Sequence, residues 1–128
     1  MGSDRATDQE VLDATAATEA AMRPQAVPIN MYETRAALVI VAPMVAVTAD
    51  DVTVELQPGT LRFWAHLRSA GPREYLIHEW HFGGYERQVE IPEGFGRSVE
   101  ASLGNGQLAI RVLRGDPLES MSVKPTAL

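Results

Sequence analysis

The chain of 128 residues is long enough for one domain with a buried core and too short for two. Eleven basic residues against seventeen acidic ones give a net charge of −6, which argues against nucleic acid as a main partner because phosphate binding needs a clustered basic surface. The absence of cysteine excludes disulfides, thiolate catalysis and cysteine-ligated zinc. Lys124 is the only lysine and follows a valine, so the chain has no phosphate-binding P-loop.

The sequence shows none of the patterns typical of export or membrane insertion. Its first ten residues are polar and acidic, whereas a secretory signal has a basic start and an apolar run. The most apolar stretch, residues 36–47, is short and interrupted by Pro43, so it cannot span a bilayer. Together with the lack of cysteine, which fits a reducing compartment, these features predict a soluble, cytoplasmic protein without a membrane partner.

Residues 1–25 differ in composition from the rest and are predicted to form an N-terminal arm. Thr7 and Glu10 have the spacing of a capping box, which predicts a helix that ends near Met22, ahead of Pro24. The apolar residues of this segment are too few for a strong hydrophobic stripe. A disordered tail is the alternative that the sequence leaves open.

The hydrophobic pattern of residues 26–114 has a period of two, which is typical of β-strands. Residues 37–42 are apolar on both faces, as in a fully covered strand, whereas residues 52–56 alternate between apolar and polar. Further strands are predicted at residues 29–32, 61–65, 85–91, 99–103 and 107–113. Short strands separated by Pro and Gly turns predict an all-β domain, an antiparallel β-sandwich of the immunoglobulin-like kind.

Two segments do not fit this ladder of strands. Residues 66–84 form a long excursion with a short strand predicted at residues 75–79, and such an insertion in a compact domain usually carries function. Residues 115–128 contain two prolines and too few apolar residues to pack alone. They are therefore predicted to leave the domain as a C-terminal extension.

Four segments, in chain order, resemble the α-crystallin domain of the small heat-shock proteins, of the bacterial type. The most specific match is Ala101–Leu108, which follows the family's A-x-x-x-n-G-x-L pattern between its last two strands. Residues 85–92 are similar to its aromatic-x-Arg strand that closes at Leu-Pro. Residues 42–47 and 50–52 are similar to its Pro-Gly-Val turn and acidic strand entry. The sequence departs from the family where glycine is usual, at Ala46 and Ala65.

The resemblance implies an ATP-independent chaperone, a holdase that binds partly unfolded proteins through apolar β-edges and prevents their aggregation. It implies no cofactor and no enzymatic activity, and its partners are unfolded clients and further copies of the chain. The family's client-binding hydrophobic groove falls on Val52, Val54, Leu56, Val99, Ala101 and Leu103. Alternation alone cannot distinguish a groove from a core, so plain sandwich core stays open as the role of these six residues.

The excursion at residues 67–82 is implied to dimerise the protein, because in bacterial and plant members it crosses to a second subunit and adds a strand there. Arg87 shares a strand face with apolar residues, so its charge needs a compensating carboxylate, for which Glu74 and Glu79 are the candidates. The alternative is an arginine that reaches solvent within one subunit. The predicted interface residues are Glu74, Tyr75, Ile77, Glu79 and Arg87.

Met121 and Val123 loosely match the family's C-terminal anchor, which has Ile or Val at both positions. In an extended chain these two side chains point the same way and could fill adjacent pockets of the groove. A frayed terminus is the alternative. Because the match is loose, the sequence leaves open whether a dimer or a larger oligomer forms.

Two other functions are open at this stage. One is a co-chaperone or adaptor with a CS-like sandwich that docks onto a larger chaperone, although such domains generally lack the A-x-x-x-n-G-x-L joint and the dimerising excursion. The other is a metal-assisted enzyme, which rests only on His66, His78 and His81. The spacing H-E-x-H is not the helical H-E-x-x-H motif, and on a strand His78 and His81 would face opposite ways, so no metal site is predicted.

Overall fold

The computed structural model describes residues 25–66, 74–79 and 84–128. The predicted helix of the N-terminal arm lies outside the described residues. So do parts of the excursion, including His81. Among the described residues, no helix is long and apolar enough to cross a membrane.

Ten strands of the described residues form two sheets that pack as a sandwich. The strands are β1 (Gln25–Ala26), β2 (Asn30–Glu33), β3 (Ala37–Pro43), β4 (Val52–Gln57), β5 (Thr60–Ala65), β6 (Tyr85–Glu90), β7 (Phe95–Gly104), β8 (Gln107–Arg114), β9 (Met121–Val123) and β10 (Thr126–Ala127). One sheet has the strand order β1-β6-β5-β4-β9, and the other has the order β10-β7-β8-β3-β2. The predicted all-β sandwich is therefore confirmed.

Alternating apolar residues build the core between the two sheets. Val52, Val54 and Leu56 of β4 point inward and are almost completely buried, as is Phe63 on the neighbouring β5. Fully burying one such side chain contributes roughly 1.5–3 kcal/mol to folding. Ile110 closes the core from the opposite sheet.

Strand β3 is buried on both faces over residues 37–40, as its unbroken apolar run predicts. It lies inside its sheet between β8 and β2, so both of its edges are paired. Its neighbour β2 forms the end of the sheet, and all four β2 residues are exposed.

Two turns place non-glycine residues in the left-handed backbone region. Asn105 and Gly106 have φ angles of 52° and 71° in the hairpin between β7 and β8, where both central residues of a tight turn need positive φ. Ala46 has a φ of 62° after the end of β3, at the position where the resembled family has glycine. The Tyr85 hydroxyl donates a hydrogen bond to the Val45 carbonyl oxygen at 3.1 Å and ties this turn to β6.

Four short segments differ from the predicted elements. Residues 75–79 form no strand in the single chain, because a strand requires a hydrogen-bonded neighbour and these residues face solvent. Conversely, the extension at residues 115–128 was predicted to leave the domain, but β9 and β10 join the two sheets. Strand β1 likewise pairs in parallel with β6, although nothing in its two residues signals a strand. These pairings depend on partners distant in sequence, which local patterns do not contain.

Replacing Ala46 with glycine is expected to stabilise the protein. Left-handed backbone costs an alanine roughly 1–2 kcal/mol, and the greater freedom of glycine in the unfolded chain offsets only part of that gain. We expect Ala46→Gly to raise the free energy of unfolding by about 0.5–1 kcal/mol, measured by urea denaturation. The control Ala109→Gly, in the regular strand β8, should lower it by a similar amount. Equal destabilisation by both changes would contradict the strain assigned to Ala46.

Candidate functional site

The candidate site is the groove, the apolar surface between β4 of one sheet and β7 of the other. Without residues 121–128 these strands would be the ends of their sheets as far as the structure describes the chain, because β9 is the strand beyond β4 and β10 the strand beyond β7. An unpaired strand edge beside apolar side chains is a template for binding another extended chain.

The structure brings the six predicted groove residues together on the inner side of β4 and β7. Five of them are buried, and Ala101 is partly buried against the same core cluster. Their burial depends on the segment that covers the groove as well as on the opposing sheet. The six residues are Val52, Val54, Leu56, Val99, Ala101 and Leu103.

The C-terminal residues of the same chain cover the groove on the β4 side. Strand β9 pairs antiparallel with β4, so Met121 lies opposite Leu56 and Val123 opposite Val54. Both side chains are partly buried and pack on the core cluster. Ser122, between them, is exposed. The period of two therefore directs Met121 and Val123 toward the groove. Their role as an anchor stays a prediction.

The chain then crosses from the first sheet to the second. The Lys124 ammonium donates hydrogen bonds to the Asp50 carbonyl oxygen at 3.0 Å and to Thr53 Oγ1 at 2.9 Å. Pro125 is buried, and β10 pairs in parallel with Ser102–Leu103 of β7. The Leu128 amide donates to the Leu103 carbonyl oxygen at 2.9 Å. We call residues 121–128 the strap, because they cover one edge of each sheet.

The strap does not fill the whole groove. A cavity of about 450 Å³, open to solvent, remains between the strap and the middle of β7. Val99 and Ala101 from β7 and Val123 from the strap line it, together with polar and charged residues that include Glu100, Arg111 and Lys124. Parallel pairing of β10 reaches only Ser102 and Leu103 of β7, which leaves the preceding part of that edge uncovered by β10.

Two further groups of apolar residues are exposed. One lies on β2, at the far end of the sheet that contains β7, and the other lies in the excursion. Met31 and Tyr32 on the end strand β2 are 45% and 54% exposed. In the excursion, Leu76 is 103% exposed and Ile77 is 74% exposed. The Tyr75 ring stacks on His78, with ring centroids 4.2 Å apart. The predicted interface residues Glu74 and Glu79 are also exposed.

Arg87 contacts a group that the sequence reasoning missed. Its Nη1 donates a hydrogen bond to the Val27 carbonyl oxygen at 3.0 Å, and Val27 is buried. Arg87 thus holds the segment that connects β1 of the first sheet to β2 of the second. Neither Glu74 nor Glu79 pairs with it within the described part of one chain, where ion pairs include Arg62–Glu86 and Arg111–Glu100. A backbone acceptor has no side-chain signature, so no sequence signal could have identified it.

The histidines do not assemble into a metal site in the part of the chain that the structure describes. The backbone amide of His66 donates to the Asp51 carbonyl oxygen at 3.2 Å, and the His78 ring stacks on Tyr75. No group of three or more His, Cys, Asp or Glu residues within residues 25–66, 74–79 and 84–128 is arranged to hold a metal ion.

Comparison with known families decides what kind of sandwich this is. The model of the Hsp20/alpha crystallin family matches residues 30–125, which include the groove and most of the strap. The chain belongs to the Hsp20/alpha crystallin family. The predicted resemblance is therefore confirmed, and with it the coarse role of a small heat-shock protein chaperone, a class that is not enzymatic and whose members self-assemble and bind clients.

Solved structures of small heat-shock proteins share the fold. The hspA protein from Xanthomonas axonopodis has a TM-score of 0.64 and 18% identity, and the match covers 73% of this chain and 98% of that one. A small heat-shock protein from Xylella fastidiosa has a TM-score of 0.61 and 17% identity over 72% of this chain and 88% of that one. Heat shock protein 16.0 from Schizosaccharomyces pombe has a TM-score of 0.61 and 20% identity over 72% and 68%. No curated protein matches the sequence significantly.

Introducing a polar side chain at Val123 is expected to release the strap. Val123→Asn places an amide opposite the buried Val54, and burying an amide without hydrogen-bond partners costs about 1–3 kcal/mol. We expect amide hydrogen exchange in β9 and at Leu128 to become roughly tenfold faster or more, while exchange in β5 and β8 stays unchanged. The control Ser122→Asn carries the same side chain at an exposed position and should keep the strap protected. Equal exchange in the two variants would mean that packing of Val123 does not hold the strap.

Proposed function

We propose that this Hsp20/alpha crystallin family protein is an ATP-independent holdase whose clients bind in the groove. The observation that carries the proposal is the way the groove is covered. Its apolar side chains belong to the domain core, and among the described strands β9 and β10 are the ones that lie beyond β4 and β7 and cover the groove. A segment held by two such short strands can leave without unfolding the sandwich, and its departure presents two strand edges and an apolar surface together.

The strap also supports a specific binding mode for a client. It contacts β4 through backbone pairing and through side chains at alternate positions, Met121 and Val123. An extended client segment with apolar residues two positions apart can make the same contacts. Competition between strap and client then sets the affinity, and unfolded chains bind while folded ones do not, because only unfolded chains offer such a segment.

Binding of this kind requires no nucleotide. A protein that binds the unfolded state lowers the concentration of free unfolded chains by mass action, and that is sufficient to slow their aggregation. The lack of a P-loop is consistent with this mechanism. We place the protein in the cytoplasm, since a chain without cysteine fits a reducing compartment.

We further propose that the excursion at residues 67–82 dimerises the protein. Two observations support it. No described strand pairs with the outer edge of β2, where Met31 and Tyr32 are exposed, and the excursion exposes Leu76 and Ile77. If the excursion of one subunit added a strand to β2 of another, both surfaces would be covered at once. The predicted interface role of Arg87, with Glu74 or Glu79 of the partner as its carboxylate, belongs to this proposal.

The dimer proposal is tested by the mass of the protein in solution. We expect Leu76→Asp to weaken dimerisation by at least roughly tenfold, because it would bury a carboxylate at an apolar interface. Leu118→Asp is the matched control, since Leu118 is also strongly exposed but lies outside the excursion. Analytical ultracentrifugation over a range of concentrations should show that Leu76→Asp dissociates to monomers at concentrations where Leu118→Asp is still a dimer. Similar dissociation constants for the two variants would contradict the proposal.

The holdase is tested by light scattering of a heat-labile client without ATP. We expect the wild-type protein to suppress aggregation at a ratio of chaperone to client of about 1:1, as stoichiometric binding requires. Val123→Asn should suppress it at a lower ratio of chaperone to client, because its groove is uncovered more often. Ser122→Asn should match the wild type. If all three proteins fail to suppress scattering over a range of temperatures, the adaptor function becomes the better account.

A further inference from the structure

Met121 differs chemically from the other apolar residues that cover the groove. The apolar contacts of β9 come from Met121 and Val123, and only the methionine carries a group that mild oxidants attack. Oxidation converts its thioether to a sulfoxide, which is polar and a strong hydrogen-bond acceptor. A valine, leucine or isoleucine in the same place would be inert.

The position of Met121 makes it both reachable and consequential. Met121 is only partly buried, so it contacts solvent as well as the core cluster, and an oxidant in solution can approach it. The residue opposite it, Leu56, is 1% exposed and apolar, and therefore provides no partner for a sulfoxide oxygen. A sulfoxide at this place gains no hydrogen bond from Leu56 and is fully hydrated only when β9 moves away from β4.

The other described methionines have different surroundings. Met44 is completely buried in the core and is shielded from solvent. Met31 is 45% exposed on the end strand β2, so it is open to oxidants but lies far from the strap in the strand order. Among the described residues, Met121 is thus the methionine whose oxidation acts on the strap.

We propose that Met121 is a peroxide-sensitive latch that holds the strap on the groove and releases it on oxidation. In the chemical step the methionine sulfur attacks one oxygen of the peroxide and forms the S–O bond, while the O–O bond breaks and the second oxygen leaves as water. Methionine is oxidised by two electrons and peroxide is reduced. A reductase that uses a dithiol reverses the step, taking the oxygen off as water and forming a disulfide.

Release uncovers the strand edges of β4 and β7 and the apolar residues between them. Within the strap, β9 has three residues and β10 has two. Loss of one packed side chain therefore removes a large part of what holds the strap. Greater client binding by the oxidised protein rests on the proposed holdase function, whereas release of the strap does not depend on it. The two consequences are therefore measured separately.

The test uses the full chain treated with hydrogen peroxide, with the sulfoxides located by mass spectrometry. We expect Met121 to be oxidised together with Met31 but ahead of Met44, and amide hydrogen exchange in β9 and at Leu128 to become at least tenfold faster. Treatment with a methionine sulfoxide reductase and a dithiol should restore slow exchange. The matched control is Met121→Ile, which keeps an apolar side chain at the anchor and every other methionine. Its exchange should be unchanged by peroxide.

Three results would overturn the latch. They are oxidation of Met31 while Met121 stays reduced, unchanged strap exchange when Met121 is oxidised, and equal acceleration in Met121→Ile. Met121→Gln, a polar side chain of similar length, should open the strap without any oxidant and checks the effect independently of peroxide. If oxidation opens the strap but leaves suppression of client aggregation unchanged, the latch stands and the proposed client site in the groove fails.

Discussion

Covering the apolar groove between β4 and β7 is the constraint on which the rest of this structure depends. Each sheet of the sandwich has an apolar inner face and an edge that would otherwise expose unpaired backbone groups. The strap meets both needs at once, because β9 pairs with β4 and β10 pairs with β7. Its hold combines two packed side chains, the Lys124 hydrogen bonds and the Leu128 amide, none of which is large alone.

The strand edges at the two ends of the β7 sheet are treated differently. On the groove side the chain covers its own edges, whereas β2 keeps an open edge with exposed apolar residues. The first arrangement suits a surface that is uncovered on demand, and the second suits a permanent partner. A chaperone that binds clients and also assembles needs both kinds of surface, and in this chain they lie at opposite ends of one sheet.

Much of the fold was predictable because it depends on local patterns. Alternating apolar residues located the seven longer strands, and the Asn105-Gly106 pair located the hairpin between β7 and β8. Strands β1, β9 and β10 were not predictable, since each has two or three residues and exists only through a partner distant in sequence. The strand expected at residues 75–79 failed for the same reason, because none of the described residues pairs with this segment.

The candidate site was likewise predictable only where it depends on local sequence patterns. The sequence by itself determined that Val52, Val54 and Leu56 share a face, that Met121 and Val123 share another, and that the family is Hsp20/alpha crystallin, because these depend on residue spacing and on motifs. Only the tertiary structure decided that the second face covers the first, and that Arg87 bonds to the Val27 carbonyl oxygen instead of a carboxylate of its own chain. Periodicity fixes the direction of a side chain, whereas its neighbour is fixed by how the whole chain packs.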